Sequence, residues 1–167
     1  EEAGHFVKEY LEGSYACWNY FESIPGDLNK EFVGKFWKKH GEDYDVTDPM
    51  EAAYVGAWLW SRSVNESHDM EGDFRNLNYF YSLSFTAPEG VVSIAGNNHA
   101  RKTVFIGKVN AKGDFDIVWS SGQPIDPEPY PSFISKTEGQ NILNGFYQKW
   151  GGHWSAGKTP VDPPGAQ

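Results

Sequence analysis

The spacing of apolar residues changes several times along this chain, and each change marks an element. The run over 14–21, with Tyr15, Trp18, Tyr20 and Phe21, is β-rich and mostly apolar; Gly13 and Pro25-Gly26 bound it, which predicts a buried strand leading into a turn. Over 29–40, Phe32, Val33, Phe36 and Trp37 recur at helical spacing among lysines, and Gly41 follows. That predicts an amphipathic helix with a glycine C-cap. Thr47-Asp48-Pro49-Met50-Glu51 then carries a helix start: Asp48 as cap, Pro49 at the first helical position, Glu51 as the capping-box acid. The helix it opens runs through Val55, Trp58 and Leu59 to about Ser63, apolar on most sides, and is expected to lie buried between layers.

A weaker helical pattern covers 69–83, with Phe74, Leu77 and Tyr81 on one face and Gly72 near its start. After Pro88-Glu89-Gly90 the period turns to that of strands: 91–94, 102–110 and 115–120, the last two joined across 111–114 by a hairpin turn. Pro124, Pro127, Pro129 and Pro131 predict an extended strap or crossover unable to pair centrally in a sheet. A final helix is expected over 137–150 with Leu143, Phe146, Tyr147 and Trp150 as its buried stripe, followed by a frayed tail. No repeat of solenoid period is present.

Length and charge narrow the classes. The 167 residues bound the chain to one domain or two half-sized pieces and allow a sizeable core. A formal charge of -9 is the wrong sign for holding a phosphate backbone, so nucleic acid is not an expected partner. The single cysteine, Cys17, forms no internal disulfide and is expected to be a buried, unreactive thiol. Mean hydropathy is -0.60 despite 16% aromatic residues, and no apolar run nears the roughly 18 residues of a membrane span. Residues 1–6 lack the cationic and apolar regions of a signal peptide, as expected of an unexported, matured or truncated chain.

Catalytic motifs are missing: there is no G-x-S-x-G, Walker loop, G-x-G-x-x-G or C-x-x-C, and the five histidines show no metal-ligand spacing. The acidic loop 42–48 lacks the glycine and glutamate an EF-hand needs and is read as solvated. Asn65-Glu66-Ser67 fits the glycosylation pattern, which arises often by chance. No catalytic residue, metal site or cofactor is assigned. The aromatic excess supplies either core packing or stacking platforms for sugars, which keeps a carbohydrate-binding module as an alternative.

Five motifs, in order, carry a resemblance. They are 13–21 (Gly-Ser-Tyr-Ala-Cys-Trp-Asn-Tyr-Phe), 47–54 (Thr-Asp-Pro-Met-Glu-Ala-Ala-Tyr), 85–92 (Phe-Thr-Ala-Pro-Glu-Gly-Val-Val), Asn98-His99, and 106–109 with 115–119. Together they resemble the C-terminal part of the urea and short-chain-amide binding proteins of ABC transporters, members of the type I periplasmic binding protein group. The family's Asp-Pro and second histidine after Ile94 are replaced here by Ala95-Gly96 and Ala100.

The resemblance implies an α/β, type I periplasmic-binding-protein-like fold, present as a C-terminal portion contributing to both lobes, with a β-hairpin late in the chain. Residues 1–154 would form that portion and 155–167 an extended or frayed tail. The implied function is capture of urea, a short-chain amide or a similar small polar solute by hinge closure for an ABC importer, or alternatively amide sensing for a partner protein. The implied partners are the solute, ABC permease subunits and the missing N-terminal portion. The implied location is periplasmic or extracellular, with or without a lipid anchor. Such a binder needs extended crossings and helix N-termini at its cleft. A neutral amide needs hydrogen-bonding groups between aromatic walls, and Asn19, Tyr20, Asp48, Glu51 and Tyr54 supply these near the expected hinge.

Overall fold

The computed structural model describes residues 8–68 and 74–154. A four-residue helix, α1 (Lys8–Leu11), precedes strand β1 (Tyr15–Trp18). β1 is shorter than the apolar run predicted and lies at a sheet edge, mostly exposed; Cys17 faces outward. The expectation of a buried strand and a dry thiol is therefore corrected: only Ala16 of this strand packs against the core. The buried part of the run comes after the strand, in Tyr20 and Phe21.

Helix α2 (Asp27–His40) buries Val33, with Phe32, Phe36 and Trp37 half-buried beside it. It ends at Gly41, whose φ of 103° is open to glycine and whose N–H donates to Trp37 O at 2.8 Å. Lys38 and Lys39 in its last turn complement the helix dipole. With Tyr20, Phe21, Ile24, Val46 and Phe105, Val33 forms the first core cluster.

Helix α3 (Asp48–Ser67) presents Glu51, Val55, Leu59 and Ser63 to the interior at a strict four-residue interval. Most of its other positions are exposed or half-buried, Trp60 being 62% exposed, so the expectation of a helix buried between layers is corrected to one fully buried stripe. The capping box is corrected too. Thr47 is the flanking residue, no side chain caps the helix, and Thr47 O accepts the N–H groups of Met50 and Glu51. Val55 and Leu59 join Ala87, Val92 and Ile94 in a second core cluster.

Helix α4 (Phe74–Ser82) falls within the helix predicted over 69–83; residues 69–73, including Gly72, and the side chains of Phe74 and Leu77 lie outside the described residues. Tyr81 packs on the second cluster. Strand β2 (Ser84–Ala87), not anticipated from the sequence, turns through Pro88 and Glu89 into β3 (Gly90–Ile94), with Gly90 at φ 120°. β4 (Ala100–Arg101) completes an antiparallel sheet of order β2-β3-β4.

Strands β5 (Phe105–Val109) and β6 (Phe115–Ser120) form the hairpin expected, and with β1 a second antiparallel sheet, β1-β5-β6. β5 starts later than predicted because 102–104 leave the sheet. Gly107 sits where β5 passes under two rings: an added Cβ would lie 2.9 Å from Phe115 and 3.0 Å from Phe21. Gly107→Ala is expected to cost about 1–3 kcal/mol, read as a lowered urea midpoint at unchanged slope.

The chain divides into two compact units, 1–127 and 128–167. The second contains helix α5 (Lys136–Lys149), where Ser135 Oγ accepts the Glu138 N–H at 3.2 Å as an N-cap. The predicted stripe is corrected: no residue of α5 is buried, and Phe146 instead stacks on Trp150. The expected tail 155–167 lies outside the described residues.

Candidate functional site at the crossings between the two sheets

Two segments carry the chain between the two cores, 41–47 from α2 to α3 and 102–104 from β4 to β5, and a third crossing segment, 121–125, leaves the first core after β6. The last two run side by side. Ile125 N donates to Lys102 O at 3.0 Å, Ser121 N to Val104 O at 2.9 Å, and Asn19 Nδ2 to Thr103 O at 3.0 Å. Polar backbone that leaves a sheet in the interior must find such partners, which explains why Asn19 is spent on a carbonyl here.

Lys102 extends from this crossing to Glu89 in the β2–β3 turn at 2.8 Å and to Glu51 in the first turn of α3 at 3.5 Å. Both carboxylate side chains are 0% exposed and the lysine side chain 13%. Two acids with one ammonium leave an excess of buried negative charge, and Asp48 adds to it. Burial, with the Glu51 charge in support, pushes the Glu89 carboxyl up to about 7. Burial also raises Glu51, with Lys102 opposing. Burial pulls Lys102 down, but Glu89, Glu51 and Asp48 outweigh it and hold the ammonium above its ordinary value.

The five residues expected to meet a ligand are distributed around these crossings. Tyr20 is a core residue; its hydroxyl donates to Asn29 Oδ1 at 2.8 Å. Glu51 is enclosed in the ion cluster. Asp48 Oδ1 is buried and accepts no hydrogen bond from the described residues. Tyr54 lies between Phe32 and Phe85, with ring centroids 4.9 and 6.0 Å away, and opens onto a groove of about 420 Å³ between α2 and β2. Phe85 continues the aromatic row to Trp58, stacked at 3.9 Å. Tyr54 therefore belongs to a chain of rings linking the two cores. Glu89 and Lys102 were missed by the sequence reading. Glu89 stands inside the 85–92 motif, and a glutamate between proline and glycine in an apolar stretch was the available signal.

Among the described residues, no group of three or more His, Cys, Asp or Glu is placed to hold a metal ion, the acidic loop 42–48 included. No described helix is long and apolar enough to cross a membrane.

Residues 1–136 match the periplasmic binding protein domain. The chain belongs to that family. Solved structures agree on the fold of this periplasmic binding protein domain, which is type I periplasmic-binding-protein-like and mixed α/β. A solute-binding protein of an ABC transporter from Rhodopseudomonas palustris BisB5, in complex with 3,4-dihydroxybenzoic acid, superposes with a TM-score of 0.63 at 19% identity over 71% of this chain and 33% of its own. An R. palustris solute-binding protein in complex with benzoate gives 0.64 at 13%, over 74% and 35%. A leucine-, isoleucine-, valine-, threonine- and alanine-binding protein from Brucella ovis, in its closed conformation, gives 0.59 at 16%, over 71% and 34%. A protein named limonene hydroxylase from Geobacillus stearothermophilus is 35% identical over 121 residues, 72% of this chain and 22% of that protein. The chain thus spans about a third of each of these solved structures and under a quarter of the limonene hydroxylase.

Proposed function

We propose that the intact protein is the solute-binding component of an ABC importer, periplasmic or extracellular, and that it captures urea, a short-chain amide or a similar small polar solute. Closure of two lobes about the crossings 41–47, 102–104 and 121–125 traps the solute, and the permease subunits recognise the closed form. Binding rather than catalysis is the role proposed, because the ionisable groups gathered at the crossings tie elements to one another. The remainder of the cleft comes from the portion of the protein outside this chain.

The observation that carries the amide reading is Asp48. Its buried Oδ1 accepts no hydrogen bond from the described residues, and it stands in the first turn of α3 directly after a crossing. A dehydrated acceptor of this kind is matched by a solute rich in N–H donors, which urea and primary amides are.

Isothermal titration of the intact protein with urea, acetamide, benzoate and leucine tests the reading. Heat is expected for urea or acetamide, with Asp48→Ala weakening the affinity at least about tenfold, roughly 1.4 kcal/mol. Heat for benzoate or leucine alone would transfer the protein to another solute class, and silence in all four would remove the amide claim. Limonene supplied with a nicotinamide reductant and dioxygen is expected to be recovered unchanged; a hydroxylated product would overturn the binding role.

A further inference from the structure

We propose that Glu51, Glu89 and Lys102 form a proton-operated latch that holds the crossing 102–104 against the β2–β3 turn and α3, so that seating of this crossing takes up one proton. Three elements far apart in sequence converge here: the first turn of α3, the turn between β2 and β3, and the segment that leaves β4 for β5. Lys102 is the only cation the described residues bring to this cluster, and the groups facing Glu89 are Glu51 and Asp48 from α3 and Lys102 from the crossing. Among the described residues, Glu51 Oε1 and Glu89 Oε2 have no hydrogen-bond partner, and a single ammonium is the only cation set against the two dehydrated carboxylates.

The charge balance gives the direction. With Glu89 protonated, Glu51 and Lys102 are a neutral buried pair. With Glu89 ionised, the cluster carries one uncompensated negative charge out of water, and the strain is relieved by withdrawing the crossing and admitting water. Since the carboxyl is raised from 4.5 to about 7 in the seated form, its contribution is complete below about 4.5 and is lost as pH rises through about 7. Solvent supplies the proton and receives it back, so no other reactant is needed. The same segment is one of the crossings about which closure is proposed; on that reading, and only on it, solute affinity should also fall as pH rises from 6 to 8.

Amide hydrogen exchange of the intact protein without solute tests the latch independently of any ligand. Two crossing amides report on it, Ser121 N bonded to Val104 O and Ile125 N bonded to Lys102 O. After correction for the intrinsic pH dependence of exchange, their protection is expected to drop about tenfold between pH 6 and pH 8, the linkage for one proton bound at about 7 in the seated form. Glu89→Gln, which fixes the side chain in a neutral form of the same shape, should abolish that drop and keep the pH 6 protection at pH 8. A carboxyl carbon titration by NMR should place the midpoint of Glu89 near 7. Equal pH dependence in wild type and Glu89→Gln, or a midpoint near the ordinary carboxylate value, would overturn the latch. A working latch in a protein that binds none of the four solutes would instead remove the solute reading and leave the latch standing.

Discussion

Replacing Lys102 with methionine should lower the unfolding free energy by about 3–5 kcal/mol at pH 8, the largest single effect expected in the chain. The lysine is the cation between two fully enclosed carboxylates, 2.8 Å from Glu89 and 3.5 Å from Glu51. Removing it leaves both acids dehydrated and mutually repelling. The cost is not that of losing an attraction, which burial of the ions largely cancels, but that of stranding charge. Two corollaries separate this cause from simple loss of packing. The penalty should shrink at pH 5, where both carboxyls can take up protons, and Glu51→Gln with Glu89→Gln in the same chain should recover most of it. Urea denaturation across pH measures all three; a loss below about 1 kcal/mol at pH 8, or one insensitive to pH, would show that the cluster is not compensated through Lys102.

Asn29→Ala is expected to be the second largest, at about 3 kcal/mol or more. Asn29 is buried in α2 and makes three hydrogen bonds: Oδ1 accepts from the Tyr20 hydroxyl at 2.8 Å, while Nδ2 donates to Glu22 O at 2.7 Å and to Ile24 O at 2.8 Å. It thereby pins the loop between β1 and α2 to the helix that packs beneath it. Alanine deprives two carbonyls of their side-chain donor and opens a void beside Tyr20, each lost buried partner costing about 1–3 kcal/mol. Asn29→Asp separates donor from acceptor: it keeps the acceptor for Tyr20 but loses the donors and adds a buried charge, so it should be no better than alanine. A change below about 1 kcal/mol in thermal or urea unfolding would mean that the loop is held by other contacts.

The difference between what could be read in advance and what could not is clearest in α3. Its start at Asp48 and its helical character followed from Thr47-Asp48-Pro49 and the apolar spacing beyond, because both depend on residues within one or two turns. The role of Glu51 did not. In sequence it is an acid three residues after a capping residue, and the local reading made it a capping-box partner. In the fold its side chain turns inward, because Lys102 and Glu89 stand on elements that pack against α3. The same holds at β1, where an apolar run could not show that its strand would occupy a sheet edge with Cys17 outward. α5 likewise has the stripe of a core helix while burying none of it.

From the sequence alone came the elements with strong local signals: α2 with its Gly41 stop, the start of α3, the β5–β6 hairpin and the α/β class, together with motifs specific enough to point to periplasmic binding proteins. These are properties of neighbours along the chain, governed by backbone conformation and side-chain periodicity. The tertiary structure alone decided the pairing of 102–104 with 121–125, the row of rings from Phe32 through Tyr54 and Phe85 to Trp58, and the enclosure of Glu51, Glu89 and Lys102. Residues 51, 89 and 102 have no shared periodicity that could announce them. Their charges interact strongly only because folding removes water from between elements that are remote in sequence, and that dehydration belongs to the packed molecule.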